Sequence, residues 1–495
     1  MRSRREFLKQ AAALGITPAV LTQMLQAGLS PTPSGNAAPQ FLPSELAGAG
    51  KGKNVVILML DALRPDYTQA YQADAATSPF FAELAKRSIV FDKACSTSTW
   101  TAPACASLFT GHYPPAHGIV EGMQAHSRRA ERVGESDSSN GESSNGNEQE
   151  PAESEEVMVN AFAPDMKLLT EYLKSAGYTT FGLSTNPNVG PEIGFTRGFD
   201  RLVNMDNATA DEVVDEVSMW QDELTELEKP YFLYLHFMDP HMPYHQREPW
   251  YQKDVAQKSE IDEAAESYRS EISYLDQQLA KLFRQWNWGD ETLVILVSDH
   301  GEELGDHGKV GHRFQMHVEL NRIMLMATGG GLERSHRVSE LVGIHDLMPS
   351  ILQWIGLPAP DEGSGLSLLP FFEAAAQPAD AQRSTSVPAE LRNRILLAHR
   401  RGIKNKQGDI YAVNFGQFRL LQSSVNMRVL YDHGIDPRER RNVSPRQYQS
   451  EFKLMGAALD SLLAAGFTDR AQMRPAQQSQ ADRDLLAELG YVGDK

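Results

Sequence analysis

Two apolar runs in this chain each lead into an aspartate. Asn54–Leu60, NVVILML, stops at Asp61, and Thr292–Val297, TLVILV, leads through Ser298 to Asp299 and His300. A continuous apolar run suits a strand covered on both faces of a mostly parallel sheet. In such sheets ligands bind at the carboxyl ends of the strands. Carboxylates there have no packing reason to exist. Aspartate and histidine offer oxygen and nitrogen donors to Ca²⁺, Mn²⁺, Mg²⁺ or Zn²⁺. Singly, Asp299 reads as a helix cap and His300 as a satisfied polar contact. Jointly with Asp61 they read as ligands of one divalent metal ion.

A nucleophile is sought in STSTWTAPACASLFTG, Ser96 to Gly111. Thr101-Ala102-Pro103 opens a helix, and capping alone would explain Thr101. A helix N-terminus also attracts anions. A hydroxyl there, beside a divalent cation, can lose its proton and attack an anionic ester. Cys95 and Cys105 are the only two cysteines. They are too few for a disulfide framework or a thiolate metal site, so they are buried thiols or one pair. His241, in MDPHMPY, and His312, in GKVGH, follow strands and suit oxyanion contacts or leaving-group protonation. The spacing of Asp239, His241 and His245 also permits a second metal.

These residues need a scaffold. Ser78-Pro79 opens a helix with Phe80, Phe81, Leu84 and Ala85 on its apolar face. A second helix spans 165–176 and stops at Gly177; strands are expected at 178–184 and 231–239. A long helix then places Tyr268, Ile272, Leu275, Leu279, Leu282 and Trp286 on one side. Strands alternating with helices predict an α/β fold, a large mostly parallel sheet flanked by helices, over residues 50–375. After Pro370 the composition becomes linker-like. Residues 390–495 read as a small C-terminal α+β subdomain, with short strands in 411–432 and a charged helix around 481–489.

The chain has 495 residues and a net charge of −18, which argues against a nucleic-acid partner or an anionic membrane. Nine acidic residues fall in 127–157, an almost wholly polar stretch expected to be a disordered surface insertion. At the N-terminus, Arg4-Arg5 precedes Phe7-Leu8-Lys9 and the apolar run AAALGITPAVL. Residues 1–40 therefore read as a twin-arginine-type signal and linker, and the protein as periplasmic or exported. The run is too short to span a membrane, and no other run is long enough.

Taken together, the motifs resemble the sulfatase family of the alkaline phosphatase superfamily. LDALRPD resembles its first metal motif, TAPACASLFTGHYPPAHG its nucleophile signature, DPHMPY its substrate-histidine loop and VSDHGEELGDHGKVGH its second metal motif. HDLMPSILQWIGLP and LYDHGIDPRERRNV resemble its later patterns. The resemblance implies that Asp61, Asp299 and His300 bind one divalent metal, with Thr101 at the nucleophile position and against the metal. It implies that His241 and His312 meet the substrate's anionic oxygens or leaving group, and that Asn186 and Lys309 bind substrate. The substrate implied is an anionic ester: a small molecule, a glycan or a lipid headgroup.

The chain departs from the family pattern at four places. Thr101 replaces the formylglycine precursor, Cys105 the usual arginine, Ala62 a second aspartate, and Ser184 and Asn186 a Lys-x-His pair. A formylglycine hydrate sheds sulfate by collapsing to an aldehyde, which threonine cannot do. A threonine phosphoester can be hydrolysed, or passed on, by the in-line route that made it. The resemblance thus implies a metal-dependent hydrolase or phosphotransferase for sulfate or, more so, phosphate and phosphonate esters. The alternative is a catalytically decayed sulfatase fold that binds an anionic glycan or lipid headgroup.

Overall fold

The apolar runs become the centre of an eight-stranded sheet. The structure, a computed structural model, describes residues 41–123, 155–256, 259–312, 315–332, 335–358, 360, 362–376, 387–392, 394–402, 408–424, 427–464 and 471–489. The expected signal at 1–40 and most of the acidic insertion lie outside the described residues. The strands in chain order are β1 (Asn54–Leu60), β2 (Ile89–Cys95), β3 (Glu155–Ala161), β4 (Thr179–Ser184), β5 (Arg201–Asn204), β6 (Tyr231–Phe237), β7 (Thr292–Val297), β8 (Glu303–Leu304), β9 (Val310–Gly311), β10 (Leu325–Gly329) and β11 (His336–Gly343). Across the large sheet the order is β11-β2-β10-β7-β1-β6-β4-β5. All pairings are parallel except the two made by β10. The mostly parallel sheet is as expected, with one reversed strand inside it.

Side-chain alternation explains why β1 reads as unbroken apolar sequence. Val55, Ile57 and Met59 enter one core, and Val56, Leu58 and Leu60 enter another on the opposite face. Both faces are covered, so no position is left for a polar residue. Helix α1 (Pro79–Ala85) and the long α3 (Glu260–Trp286) cover one face. Between them in the chain, α2 (Thr101–Thr110) covers the other, together with α4 (Leu347–Trp354). Gly111, at φ 68°, ends α2 in the left-handed conformation that glycine adopts without a Cβ penalty.

Three sequence expectations change. The stretch after Pro370 is not a linker at its start: α5 (Leu369–Ala376) buries Phe371 and Phe372 in the main core. Residues 155–157, inside the span expected to be disordered, begin β3. The subdomain does not run to the chain's end. Its antiparallel sheet, β12 (Ile395–Arg400), β13 (Ile410–Phe415), β14 (Phe418–Ser423) and β15 (Arg428–Asp432), is backed by α6 (Gln449–Ala464). Then β16 (Gln472–Gln478) pairs with β3, and α7 (Gln480–Glu488) brings Leu486 into the main core, followed by Leu489. Among the described residues, no helix is long and apolar enough to cross a membrane.

Small sheet and large domain meet around Glu439. Its buried carboxylate accepts from Arg419 at 3.0 Å, from His433 at 2.8 Å and from the Val318 amide at 3.0 Å. Beside it, His307 Nδ1 lies 2.6 Å from Glu319 Oε1, and its ring stacks on His317. The Glu319 carboxylate holds His307 up at about 9, above the usual 6.5. The proton's contribution to stability is thus fully present below pH 6.5 and lost as pH rises through about 9. Melting temperature is expected to fall across that window, and His307→Gln to flatten the fall. An unchanged slope in the variant would contradict the assignment.

Candidate active site

The polar run before α2 is consumed by its own hydrogen bonds. Thr97 Oγ donates to Ser107 at 2.6 Å, Ser98 Oγ to the His399 carbonyl at 2.8 Å and Thr99 Oγ to the Gln315 carbonyl at 3.2 Å. The His399 amide donates back to the Thr97 carbonyl at 2.8 Å, so β12 braces the approach to the helix. Trp100, not Thr101, occupies the capping position, and it makes no side-chain cap bond. Thr101 is the first helical residue, and its hydroxyl turns into the crevice.

There it meets the carboxylates. Thr101 Oγ lies 3.4 Å from Asp61 Oδ2 and 3.4 Å from His300 Nε2. His300 Nε2 is also 3.5 Å from Asp61 Oδ1 and 3.4 Å from Asp299 Oδ2. Asp61, Thr101, Asp299 and His300 are all fully buried. The other ends are spoken for. His300 Nδ1 faces the Gly301 carbonyl at 2.8 Å, which places the lone pair on Nε2. Asp299 Oδ1 accepts from the amides of Ala62 at 3.1 Å and His300 at 2.8 Å. Ala62 makes that bond with its backbone at φ 56°, a left-handed conformation unusual outside glycine. Asp61 Oδ1 and Asp299 Oδ2 have no hydrogen-bond partner among the described residues.

Two buried carboxylate oxygens without donors are costly unless a cation meets them. With the imidazole Nε2 they form a mixed oxygen–nitrogen set of the kind divalent ions take, so the residues fit the expected metal. Asp61 and Asp299 titrate as a pair. Burial and the Asp61 charge push Asp299 well above the usual carboxylate range. Burial opposes ionisation of Asp61 too, but His241 and His236 outweigh it and hold it low. Burial, with His312 adding to it, lowers His300 to about 3, so it stays neutral.

The three imidazoles of His300, His312 and His241 gather at one rim. Ring centroids are 4.4 Å apart for His300–His312 and 4.8 Å for His241–His312. Glu302 Oε1 faces His312 Nδ1 at 3.1 Å, and burial pushes Glu302 up to about 7. Asn186, expected to bind substrate, instead donates to Asp61 Oδ2 at 2.6 Å and to Thr101 Oγ at 3.3 Å. Lys309 does not join the group. It sits exposed past the turn at Gly308, and with the Gln315 amide turned to satisfy both ends, its Nζ donates there at 3.1 Å. Nor do Asp239, His241 and His245 assemble a second set. Asp239 accepts from the Ala210 amide at 3.0 Å and pairs with Arg247, while His245 is exposed. Both cysteines are buried free thiols.

Sequence reasoning missed His236 and Glu302. His236 Nε2 lies 3.0 Å from Asp61 Oδ2, deep in β6. The available signal was a histidine inside YFLYLHF, where both faces are covered and every neighbour is apolar or aromatic.

The family model for sulfatases matches residues 53–357, from the start of β1 to just past α4. The chain belongs to the sulfatase family. Over 203 residues, it is 29% identical to the multifunctional alkaline phosphatase superfamily protein PehA of Trinickia caryophylli, covering 38% of this chain and 37% of PehA. Arylsulfatase K of Rattus norvegicus is 28% identical over 176 residues, covering 35% of this chain and 29% of that protein. Among solved structures, the phosphonate monoester hydrolase of Agrobacterium radiobacter superposes with TM-score 0.58 at 17% identity, over 87% of this chain and 97% of that one. A solved 2-O GAG sulfatase superposes with TM-score 0.63 at 16% identity, over 85% of this chain and 93% of that one, so this sulfatase-family chain shares its fold with both.

Proposed function

We propose that this sulfatase-family protein is a metal-dependent hydrolase of anionic esters, with Thr101 as nucleophile and phosphate or phosphonate esters favoured over sulfate. One observation carries the reading. The Thr101 hydroxyl stands at the mouth of α2, 3.4 Å from both Asp61 and His300, beside two carboxylate oxygens that lack donors. Asp61, Asp299 and His300 would hold a divalent cation, with Thr101 against it. Such an ion supplies charge neutralisation for a non-bridging ester oxygen and acidifies a neighbouring hydroxyl.

The chain's own residues do the rest. Asn186 and Asp61 aim Thr101 Oγ, which releases its proton to solvent and forms the new bond to phosphorus as the bond to the leaving oxygen breaks. The positive end of the α2 dipole, at Thr101, favours the charge that develops on the non-bridging oxygens. His241 and His312 line the side from which a leaving alkoxide takes its proton, and the Glu302 carboxyl resupplies His312. Water then attacks the threonine ester in line: its hydroxyl goes to phosphorus and its proton to Thr101 Oγ as the Oγ–phosphorus bond breaks, while solvent reprotonates Glu302. The substrate is an anionic small-molecule, glycan or lipid-headgroup ester. The Arg4-Arg5 pattern supports an exported, periplasmic location.

The test is one assay of four esters: aryl sulfate, phosphate monoester, phosphate diester and phosphonate monoester, with and without chelator. Turnover of a phosphorus ester at least about tenfold faster than the sulfate is expected, a difference of about 1.4 kcal/mol in barrier. Turnover should vanish on chelation. Faster sulfate turnover would overturn the phosphorus preference. No turnover of any ester would favour a binding protein.

A further inference from the structure

The crevice holds a histidine whose role the donor set leaves undecided. His236 forms a close cluster with Asp61 and Asp299 that could hold a metal, so its Nε2 is either a ligand or a hydrogen-bond donor to Asp61. The choice depends on its tautomer, and the tautomer depends on what Nδ1 meets.

Nδ1 meets the hydroxyl of Tyr234 at 2.9 Å. Tyr234 is fully buried, and burial keeps its phenol protonated. Among the described residues the hydroxyl has two polar contacts, His236 Nδ1 and, at 3.8 Å, the thiol of Cys105 on α2. The short contact takes the phenolic proton, because a 3.8 Å approach to sulfur is a weak acceptor geometry. Nδ1 is then an acceptor, and the ring's own proton sits on Nε2, pointing at Asp61 Oδ2 3.0 Å away. Tyr234 and His236 are two residues apart in β6, so both face the same side of the sheet as α2. Phe109 packs edge-on against the Tyr234 ring with centroids 5.2 Å apart, which fixes the phenol.

Resting on the metal reading above, we propose that His236, locked in one tautomer by Tyr234, is a positioning residue for Asp61 rather than a metal ligand. His236 and Asn186 both donate to Asp61 Oδ2, so the carboxylate cannot rotate. Oδ1 alone is presented to the cation, alongside Asp299 Oδ2 and His300 Nε2.

The test reads metal binding without any ester. Mn²⁺ is titrated into chelator-treated full-length protein, and the free ion is counted by its paramagnetic resonance signal. His236→Leu and Tyr234→Phe are expected to weaken Mn²⁺ binding about 10–100-fold, the usual effect of losing an outer hydrogen-bond partner. His236→Gln places an amide N–H near the former Nε2 and should stay within about threefold of wild type. Unchanged binding in His236→Leu would overturn the proposal. So would His236→Gln falling as far as His236→Leu, which would make the imidazole nitrogen itself a ligand. Should His236→Leu fail to fold, Tyr234→Phe keeps the fixed ring and decides alone. Failure of the hydrolase reading looks different: normal Mn²⁺ affinity with no ester turnover.

Discussion

Thr101→Ala is expected to cut turnover of the best ester by at least about 10³-fold, a barrier increase of roughly 4 kcal/mol. The hydroxyl is the only part of Thr101 that the proposed chemistry uses, and no water can stand at the helix mouth with the same connection to the backbone. Alanine is well tolerated in a first helical turn. Thr101 is fully buried, but the loss is one hydroxyl and one methyl, so stability should fall by only about 1 kcal/mol. Thr101→Ser restores the nucleophile and should recover most of the rate. Steady-state kinetics on all three proteins, with circular dichroism to confirm folding, provide the check. Activity of Thr101→Ala within tenfold of wild type would remove threonine from the reaction.

Asp299→Asn should do two opposite things. The variant keeps the acceptor oxygen that meets the Ala62 and His300 amides but discards the charge facing Asp61. Repulsion between two buried carboxylates disappears, so the chelated variant should melt above chelated wild type. The same change removes an anionic ligand. Metal affinity should fall at least about 100-fold, the upper end of what even an outer-shell loss costs, and turnover should fall with it. Wild type with metal at 100 times its dissociation constant gains about 2.7 kcal/mol, and the variant should gain little of this. Melting curves with and without metal read both effects. A variant less stable than wild type when chelated would contradict the repulsion, and one that keeps its metal would contradict the ligand assignment.

How much of this was legible follows from where each residue sits. Asp61 and Asp299 could be read because each ends an apolar strand, and strand ends in parallel sheets face one crevice. His300 followed from Asp299 by adjacency. His236 was hidden by the same logic in reverse: inside a strand, alternation alone cannot say whether a polar residue faces a core or a buried donor set. Lys309 was misplaced because its loop looks continuous with His312 in sequence. The two-residue strands β8 and β9 and the left-handed Gly308 fold that loop into a hairpin with Lys309 outside and His312 inside. The strand Gln472–Gln478, QMRPAQQ, carries neither alternation nor branched residues and includes a proline. Only its partner in β3, more than 300 residues earlier, makes it a strand.

That last pairing has a consequence for the acidic insertion. Its exit is stapled by the opposite end of the chain. Strand β3 leads directly to Phe162, which stacks edge-on against Phe195, itself against Phe109 of α2. The route from insertion to nucleophile helix therefore passes through a clamped seam. Seven paired positions between β3 and β16 make that seam, so the geometry downstream of residue 155 is fixed there. The insertion is the place to graft an affinity tag or a fluorescent reporter, or to change surface charge wholesale, without retuning the chemistry below it.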